Sequence, residues 1–203
     1  MKKTEEKYDF RKQYCKAHKR IYGFLDSVPQ SDEYVLKDGI TICVANLETV
    51  GKLAAKDFVD YLRTAFGISA SLTDRDGDIC VSVGGDLGKA GGYMGRKITV
   101  SDTGITIEAF DQRGIAQAFY SLEDRMNVRR APFLKKGTTE QKPAFSPRMI
   151  HSALEVDAYP DEYLNVCAHH GYDAILVFAR DSHHGAYSKR EYDFNDLVRR
   201  AAQ

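Results

Sequence analysis

The spacing of apolar residues changes along the chain, and each spacing predicts an element. Between residues 49 and 66 apolar side chains recur every three or four positions, the period of a helix buried on one side. Gly67 follows as a C-terminal stop. The same spacing predicts a helix that begins after Asp111 and another over residues 5–28, ended by Pro29.

Short segments in which apolar and polar residues alternate predict strands. The clearest hairpin is predicted from residues 97–101 and 105–110, with a turn at residues 102–104 that contains a glycine. A second hairpin is predicted from residues 33–36 and 40–45, around Lys37-Asp38-Gly39. Two further strands are predicted at residues 69–72 and 78–83.

Between residues 127 and 147 the chain is rich in Arg, Lys, Gly and Pro and has no sustained period, which predicts a linker. Beyond it the pattern becomes strand, helix, strand, helix. These elements are predicted at 149–154, 159–170, 174–179 and from 193 onward. The strand at 174–179 is almost wholly apolar and needs cover on both faces, as barrel strands do. Roughly a quarter of a (β/α)8 barrel is therefore expected here.

The predicted fold class is α+β, a mixed sheet with helices packed on one face, followed by the first βα units of a truncated barrel. The predicted divisions are an N-terminal helix (1–30), an α+β domain (31–130), a linker (131–147) and the barrel start (148–203).

Composition narrows the classes of function. The chain has 203 residues, and its 29 Lys plus Arg balance 29 Asp plus Glu, so a nucleic-acid or anionic-membrane partner is not expected. The pattern of apolar residues indicates neither a membrane-spanning stretch nor a signal peptide, and this predicts a cytoplasmic protein. The four cysteines are widely separated and indicate no zinc motif, and no metal or other cofactor is expected.

Several short segments of the sequence resemble segments of a known family. The segments ITVSDTGITIEA (98–109) and DQRGIAQA (111–118) resemble the accessory domain that precedes the barrel in family 20 β-N-acetylhexosaminidases. That family enters its barrel through a strand introduced by Pro and Arg, as Pro147 and Arg148 stand here, and residues 168–175 resemble the passage into its second strand. The α-glucuronidases share a similar front domain and remain an alternative.

The resemblance implies a non-catalytic accessory domain, followed by a barrel fragment, of a glycoside hydrolase that acts on carbohydrate. In the family the accessory domain holds no catalytic residue, and the catalytic Asp-Glu pair follows the fourth barrel strand. That pair would lie beyond Gln203, so the chain by itself is expected to be inactive. The family's nucleophile is the acetamido group of the substrate, an exception to the usual two-carboxylate scheme.

Arg148 is the one family position that falls within the chain. The resemblance implies that it binds sugar hydroxyls, a task suited to the fixed fork of donors in a guanidinium group. The family usually continues with Gly and soon Asp, whereas Met149, Ile150 and His151 follow here. A structural salt bridge of Arg148 is the alternative.

The loop after the apolar strand holds the other candidate substrate-binding residues: Asp181, His183 and His184. In a barrel this loop would lie at the C-terminal mouth, where active sites are found. Asp181 would orient a histidine toward a sugar, while the alternative is an ordinary exposed polar loop.

Three other functions remain open. The first is a self-contained module that binds glycans or a protein, and the second is an α-glucuronidase-type N-terminal domain. The third is a complete small enzyme that uses Asp181 and His183. Exposed barrel strands would also favour self-association, because unpaired edges seek partners.

Overall fold

The computed structural model describes residues 15–151, 159–176 and 194–202, and these form two compact units. One unit is His18–Ala144. The other combines residues 15–17 with the described residues from Phe145 onward.

The unit His18–Ala144 is built on a six-stranded mixed sheet with the strand order β3-β2-β4-β6-β5-β8. The strands are β2 (Ile40–Cys43), β3 (Ala70–Thr73), β4 (Ile79–Val83), β5 (Arg96–Val100), β6 (Ile105–Ala109) and β8 (Gly137–Gln141). Neighbours from β3 to β6 run parallel, whereas β5 is antiparallel to both β6 and β8. The prediction of a mixed α+β arrangement is confirmed.

Alternate residues of the sheet form the core. Ile42, Ile79 and Ile105 are aligned across β2, β4 and β6, and all three are buried. Thr106, one position along, is exposed. Two helices, α1 (Thr49–Phe66) and α2 (Gln112–Arg129), pack against each other and against strands of this sheet.

Both of these helices agree with the sequence prediction. Helix α1 ends at Gly67, which has a positive φ of 74° and donates its N–H to the carbonyl of Arg63. Helix α2 begins after Asp111, whose Oδ1 accepts a hydrogen bond of 2.7 Å from the N–H of Gly114. Local signals were sufficient here because an amphipathic stripe, a cap and a stop coincide.

The predicted hairpin of β5 and β6 is also confirmed. The two strands pair in antiparallel register, and the N–H of Ser101 donates to the carbonyl of Gly104 across the turn. Gly104 packs against the backbone of Asp78, so a side chain at this position would collide with the carbonyl oxygen of that residue.

The second predicted hairpin is wrong in its pairing. Both strands exist, but β1 (Glu33–Val35) pairs with β7 (Phe133–Lys135), and β2 enters the large sheet instead. Asp38 lies in the connection between β1 and β2 and is bonded to Ser69, which directly precedes β3. Its Oδ1 accepts bonds of 2.7 and 2.6 Å from the N–H and hydroxyl of Ser69.

The segment predicted as a linker contains two strands, β7 and β8. Strand β8 extends the sheet beside β5, where the hydroxyls of Thr99 and Thr138 lie 3.0 Å apart. Phe133 and Leu134 of β7 are buried. The linker prediction failed because β8, with the sequence GTTEQ, has no apolar alternation.

The N-terminal helix predicted over residues 5–28 is wrong in its described part. Residues 15–28 contain a single 3-10 turn at Phe24–Asp26, preceded by Gly23 at a φ of 79°. Leu25 is 86% exposed, so the apolar stripe does not pack as a helix would require. The segment is anchored by a bond from Ile21 N–H to the Ala65 carbonyl.

The other unit contains a parallel pair of strands joined through a helix. Its elements are β9 (Met149–His151), α3 (Asp161–His169), β10 (Ala174–Leu176) and α4 (Phe194–Ala201). Strand β10 pairs in parallel with β9. The rest of the two strands predicted at 149–154 and 174–179 lies outside the described residues. Among the described helices, none has the length and apolar character needed to cross a membrane.

Candidate functional site

Arg148 immediately precedes β9 and links it to β10 through its backbone. Its N–H donates to Asp173 Oδ1 at 2.5 Å, and its carbonyl accepts bonds of 3.0 and 3.3 Å from the N–H groups of Asp173 and Ala174. Ser146 donates its hydroxyl to the other oxygen of Asp173 at 2.9 Å. The Arg148 side chain is half-buried.

These contacts place Arg148 at the amino end of the parallel pair. In barrel enzymes the active site lies beyond the carboxyl ends of the strands. The other three predicted sugar-binding residues, Asp181, His183 and His184, lie outside the described residues. Of the four predicted substrate-binding residues, the structure therefore describes Arg148. The backbone of Arg148 is hydrogen-bonded to Asp173, a residue that sequence reasoning did not single out.

A second group of polar side chains lies within the unit His18–Ala144. His18 meets three carboxylates on the two packed helices: Asp57 and Asp60 of α1, and Glu123 of α2. We call these four residues the His18 cluster. Its inner members are well shielded from solvent, with side chains of His18, Asp57 and Glu123 exposed by 7%, 19% and 4%.

The two nitrogens of the His18 ring have different partners. Nδ1 lies 3.0 Å from Asp60 Oδ2. Nε2 lies 3.3 Å from Asp57 Oδ2 and 3.7 Å from Glu123 Oε2. Asp60 is held in turn by the guanidinium group of Arg63. The ring is thus fixed from one side and directed at two carboxylates on the other.

The packing of α1 on α2 brings these groups together. Phe58 and Phe119 meet at a ring-centroid distance of 5.1 Å. The Tyr61 hydroxyl donates to the Asn127 side chain at 2.9 Å and lies 3.2 Å from the backbone carbonyl of Glu123. The His18 ring packs edge-on against Tyr61 at 5.5 Å. The cluster is therefore supported by well-packed aromatic side chains.

The carboxylates perturb the titration of the groups around them. Burial by itself would lower the pKa of His18, but hydrogen bonds to Asp57 and Asp60 and the charge of Glu123 raise it above its ordinary value. The bond from His18, with help from Arg63, lowers the pKa of Asp60. Burial, together with the charges of Asp57 and Glu123, raises the pKa of Tyr120.

Sequence reasoning missed the His18 cluster. Asp57 and Asp60 stand three residues apart on the predicted helix and so share a face, which is a weak local signal. Glu123 lies on another helix and His18 in a segment without regular structure, and nothing local indicates that these residues meet.

No family profile matches the chain, and no curated protein matches it by sequence.

Several solved structures share its fold. One is the GH20 β-N-acetylhexosaminidase from Streptomyces coelicolor, with a TM-score of 0.60 and 20% identity over 72% of this chain and 32% of that one. Another is the β-N-acetylhexosaminidase from Bacteroides fragilis, with a TM-score of 0.54 and 14% identity over 72% of this chain and 30% of that one.

A family GH115 4-O-methyl-α-glucuronidase with specificity for decorated arabinogalactans is similar as well. It gives a TM-score of 0.56 and 12% identity over 70% of this chain and 25% of that one. The chain thus spans about a quarter to a third of these proteins. At such identities the likeness establishes a shared fold, and it is a fold that glycoside hydrolases of two families contain.

Proposed function

We propose that the chain is the accessory domain, together with the first βα units of the catalytic barrel, of a glycoside hydrolase that acts on carbohydrate. In this proposal the unit His18–Ala144 supports the barrel and performs no chemistry. The barrel strands begin at β9, and the catalytic carboxylates belong to a part of the enzyme that follows.

The observation that carries this proposal is the parallel pairing of β9 with β10 across helix α3. A strand, a helix and a parallel strand form the repeating unit of a (β/α)8 barrel. Such a unit requires further strands, because a two-stranded sheet is marginally stable by itself. The unit follows a mixed α+β domain, which is the order that the sequence resemblance implies.

The shared fold supports the same assignment. The similar structures include hexosaminidases and an α-glucuronidase, and the matched 70–72% of the chain is larger than the stretch His18–Ala144 alone. We favour a hexosaminidase over an α-glucuronidase because the sequence segments around β5, β6 and α2 also resemble the hexosaminidase family.

The decisive experiment is to sequence the transcript that encodes the chain and assay its full-length product. We expect a coding region that continues into further βα units, with adjacent Asp and Glu residues after the fourth barrel strand. The full product should release nitrophenol from nitrophenyl N-acetyl-β-glucosaminide, and the 203-residue chain should not. A transcript that stops at Gln203 would overturn the proposal.

Arg148 offers a residue-level test in that full-length product. If its guanidinium group binds sugar hydroxyls, Arg148→Ala should lower kcat/KM by about 10- to 100-fold, the cost of losing a charged hydrogen bond. Arg75→Ala, at an exposed position of the accessory unit, is the matched control. An unchanged kcat/KM in Arg148→Ala would assign Arg148 a structural role.

The second candidate is an α-glucuronidase, favoured by the fold shared with the GH115 enzyme. Cleavage of a glucuronide-decorated oligosaccharide, without cleavage of the N-acetylglucosaminide, would select it. A self-contained binding module predicts instead that the 203-residue chain gives saturable heat in a titration with glycans.

A further inference from the structure

We propose that the His18 cluster is a binding site for a divalent transition-metal cation of the zinc type, with His18 Nε2, Asp57 and Glu123 as its protein ligands and Asp60 as a positioning residue. The three proposed ligands all belong to the unit His18–Ala144. It does not depend on the proposed glycosidase function.

The donor atoms have the spacing that a metal centre requires. One donor atom from each of the three ligands lies within 4.8 Å of the others. Zinc binds nitrogen and oxygen ligands at about 2.0–2.2 Å, which places tetrahedral ligands about 3.3–3.6 Å apart. The separations of 3.3 Å from His18 Nε2 to Asp57 and 3.7 Å to Glu123 lie in or close to that range.

The second nitrogen of His18 supports the same assignment. Imidazole ligands of metals almost always donate their other N–H to a carboxylate, a carbonyl or a water, which fixes the ring and its tautomer. Here Asp60 Oδ2 lies 3.0 Å from Nδ1, and Arg63 holds Asp60 in place. Nε2 faces Asp57 and Glu123, and a cation bound there would replace the proton that Nε2 shares with Asp57.

Charge and ligand type select the class of cation. Asp57 and Glu123 together carry two negative charges in a shielded position, which matches a divalent cation, whereas protonation of the imidazole supplies one positive charge. An imidazole ligand suits Zn²⁺, Co²⁺ and Ni²⁺, while Mg²⁺ and Ca²⁺ prefer oxygen ligands alone.

A bound cation would have a structural consequence. It would join the segment that contains His18 to helices α1 and α2, and so brace the two helices from outside the sheet. Because the cation would bind the folded chain and not the unfolded one, it would raise the thermal midpoint of unfolding by an amount that grows with the logarithm of its concentration divided by its dissociation constant.

The test is calorimetric titration of the metal-free, tag-free 203-residue chain with Zn²⁺, paired with Co²⁺ absorption spectroscopy. We expect one saturable site, a d–d spectrum with nitrogen and oxygen ligation, and a raised Tm. Asp57→Asn and Glu123→Gln, which preserve side-chain shape, should each weaken binding by more than tenfold. Asp60→Asn should weaken it by about 10- to 100-fold and alter the Co²⁺ spectrum.

His18→Ala should abolish the site, and His170→Asn, at an exposed histidine of the other unit, is the matched control that should leave it unchanged. Circular dichroism checks that each variant is folded. Absence of saturable Zn²⁺ and Co²⁺ binding by the folded wild type would overturn the proposal and leave a hydrogen-bonded imidazolium. Equal affinity in the folded Asp57→Asn and Glu123→Gln proteins, or preference for Ca²⁺ over Zn²⁺, would overturn it as well.

Discussion

Asp78 is a residue whose charge connects two neighbouring strands. It directly precedes β4, and its Oδ2 accepts bonds of 2.8 Å from both the N–H and the hydroxyl of Thr41 in β2. The N–H of Asp78 donates back to the Thr41 hydroxyl at 3.1 Å. The bonds from Thr41 hold the pKa of the Asp78 carboxyl below its ordinary value.

This arrangement predicts a pH-dependent loss of stability. The unfolded pKa of an Asp is about 3.9, so the Asp78 contribution is complete above that value and disappears as the pH falls through the lowered folded pKa. Asp78→Asn should therefore lower the free energy of unfolding by about 1–3 kcal/mol at pH 7, measured by urea denaturation.

The difference between wild type and Asp78→Asn should shrink toward zero as the pH falls below about 3.9 and through the lowered folded pKa of Asp78. Asp76→Asn, at an exposed position two residues earlier, should match the wild type throughout. A difference that stays constant with pH would show that the charge of Asp78 is not the source of the stability.

At the scale of elements, two helical glycines face different obstacles. A Cβ at Gly114, in the first turn of α2, would lie 2.5 Å from the carbonyl oxygen of Gly95 and 3.0 Å from Ala109 Cβ. A Cβ at Gly51 of α1 would collide with the end of the flexible Gln112 side chain, whose Oε1 accepts a bond of 3.2 Å from the N–H of Glu48.

This contrast predicts different responses of the stability to the same substitution. Replacement of Gly by Ala in a helix raises the free energy of unfolding by about 0.5–1 kcal/mol when space is available. Gly114→Ala should instead destabilise the protein by about 1–3 kcal/mol, because backbone atoms must move. Gly51→Ala should stay within about 1 kcal/mol of wild type.

Thermal and urea unfolding of the two variants would measure the effect. If Gly114→Ala proved as stable as Gly51→Ala, the close approach of α2 to the segment around Gly95 would be incorrect.

At the scale of the whole molecule, the two units differ in how well their strands are buried. Ile79 and Ile107, in the middle of the six-stranded sheet, are 0% exposed, whereas Met149 of β9 and Leu176 of β10 are 49% and 45% exposed. Within the described residues, β9 and β10 have three residues each and bury little apolar surface, which favours local opening.

Hydrogen exchange should report this difference directly. We expect the amides of β9 and β10 to exchange more than about tenfold faster than those of β4 and β6 in the 203-residue chain. In the proposed full-length enzyme, the strands that follow would cover the pair and slow its exchange. Equal protection in both sheets of the 203-residue chain would contradict the expectation. Self-association through the strand edges also stays a prediction.

Much of the fold could be predicted where the sequence signal lies within one short segment. Helix α1 and the β5–β6 hairpin were predicted because their period, turn and stop residues lie within about twenty positions of one another. The pairing of β1 with β7 was not predicted, since it depends on residues that lie about a hundred positions apart. Strand β8 was hidden because its polar side chains carry no alternation.

The candidate sites divide in the same way. Arg148 was found through the sequence resemblance, but its link to Asp173 required coordinates. The His18 cluster left only the weak signal of Asp57 and Asp60 on one helix face, because its members come from two helices and an irregular segment. Only tertiary packing brings the three carboxylates to 3.0–3.7 Å from the His18 ring.

The sequence by itself therefore determined helices α1 and α2 and the β5–β6 hairpin, and it indicated a mixed α+β domain followed by parallel βα units. Tertiary structure alone decided which strands are neighbours and which side chains meet around His18. The physical reason is that secondary structure follows from periodic burial within one segment, while a polar cluster depends on the register of packing between segments.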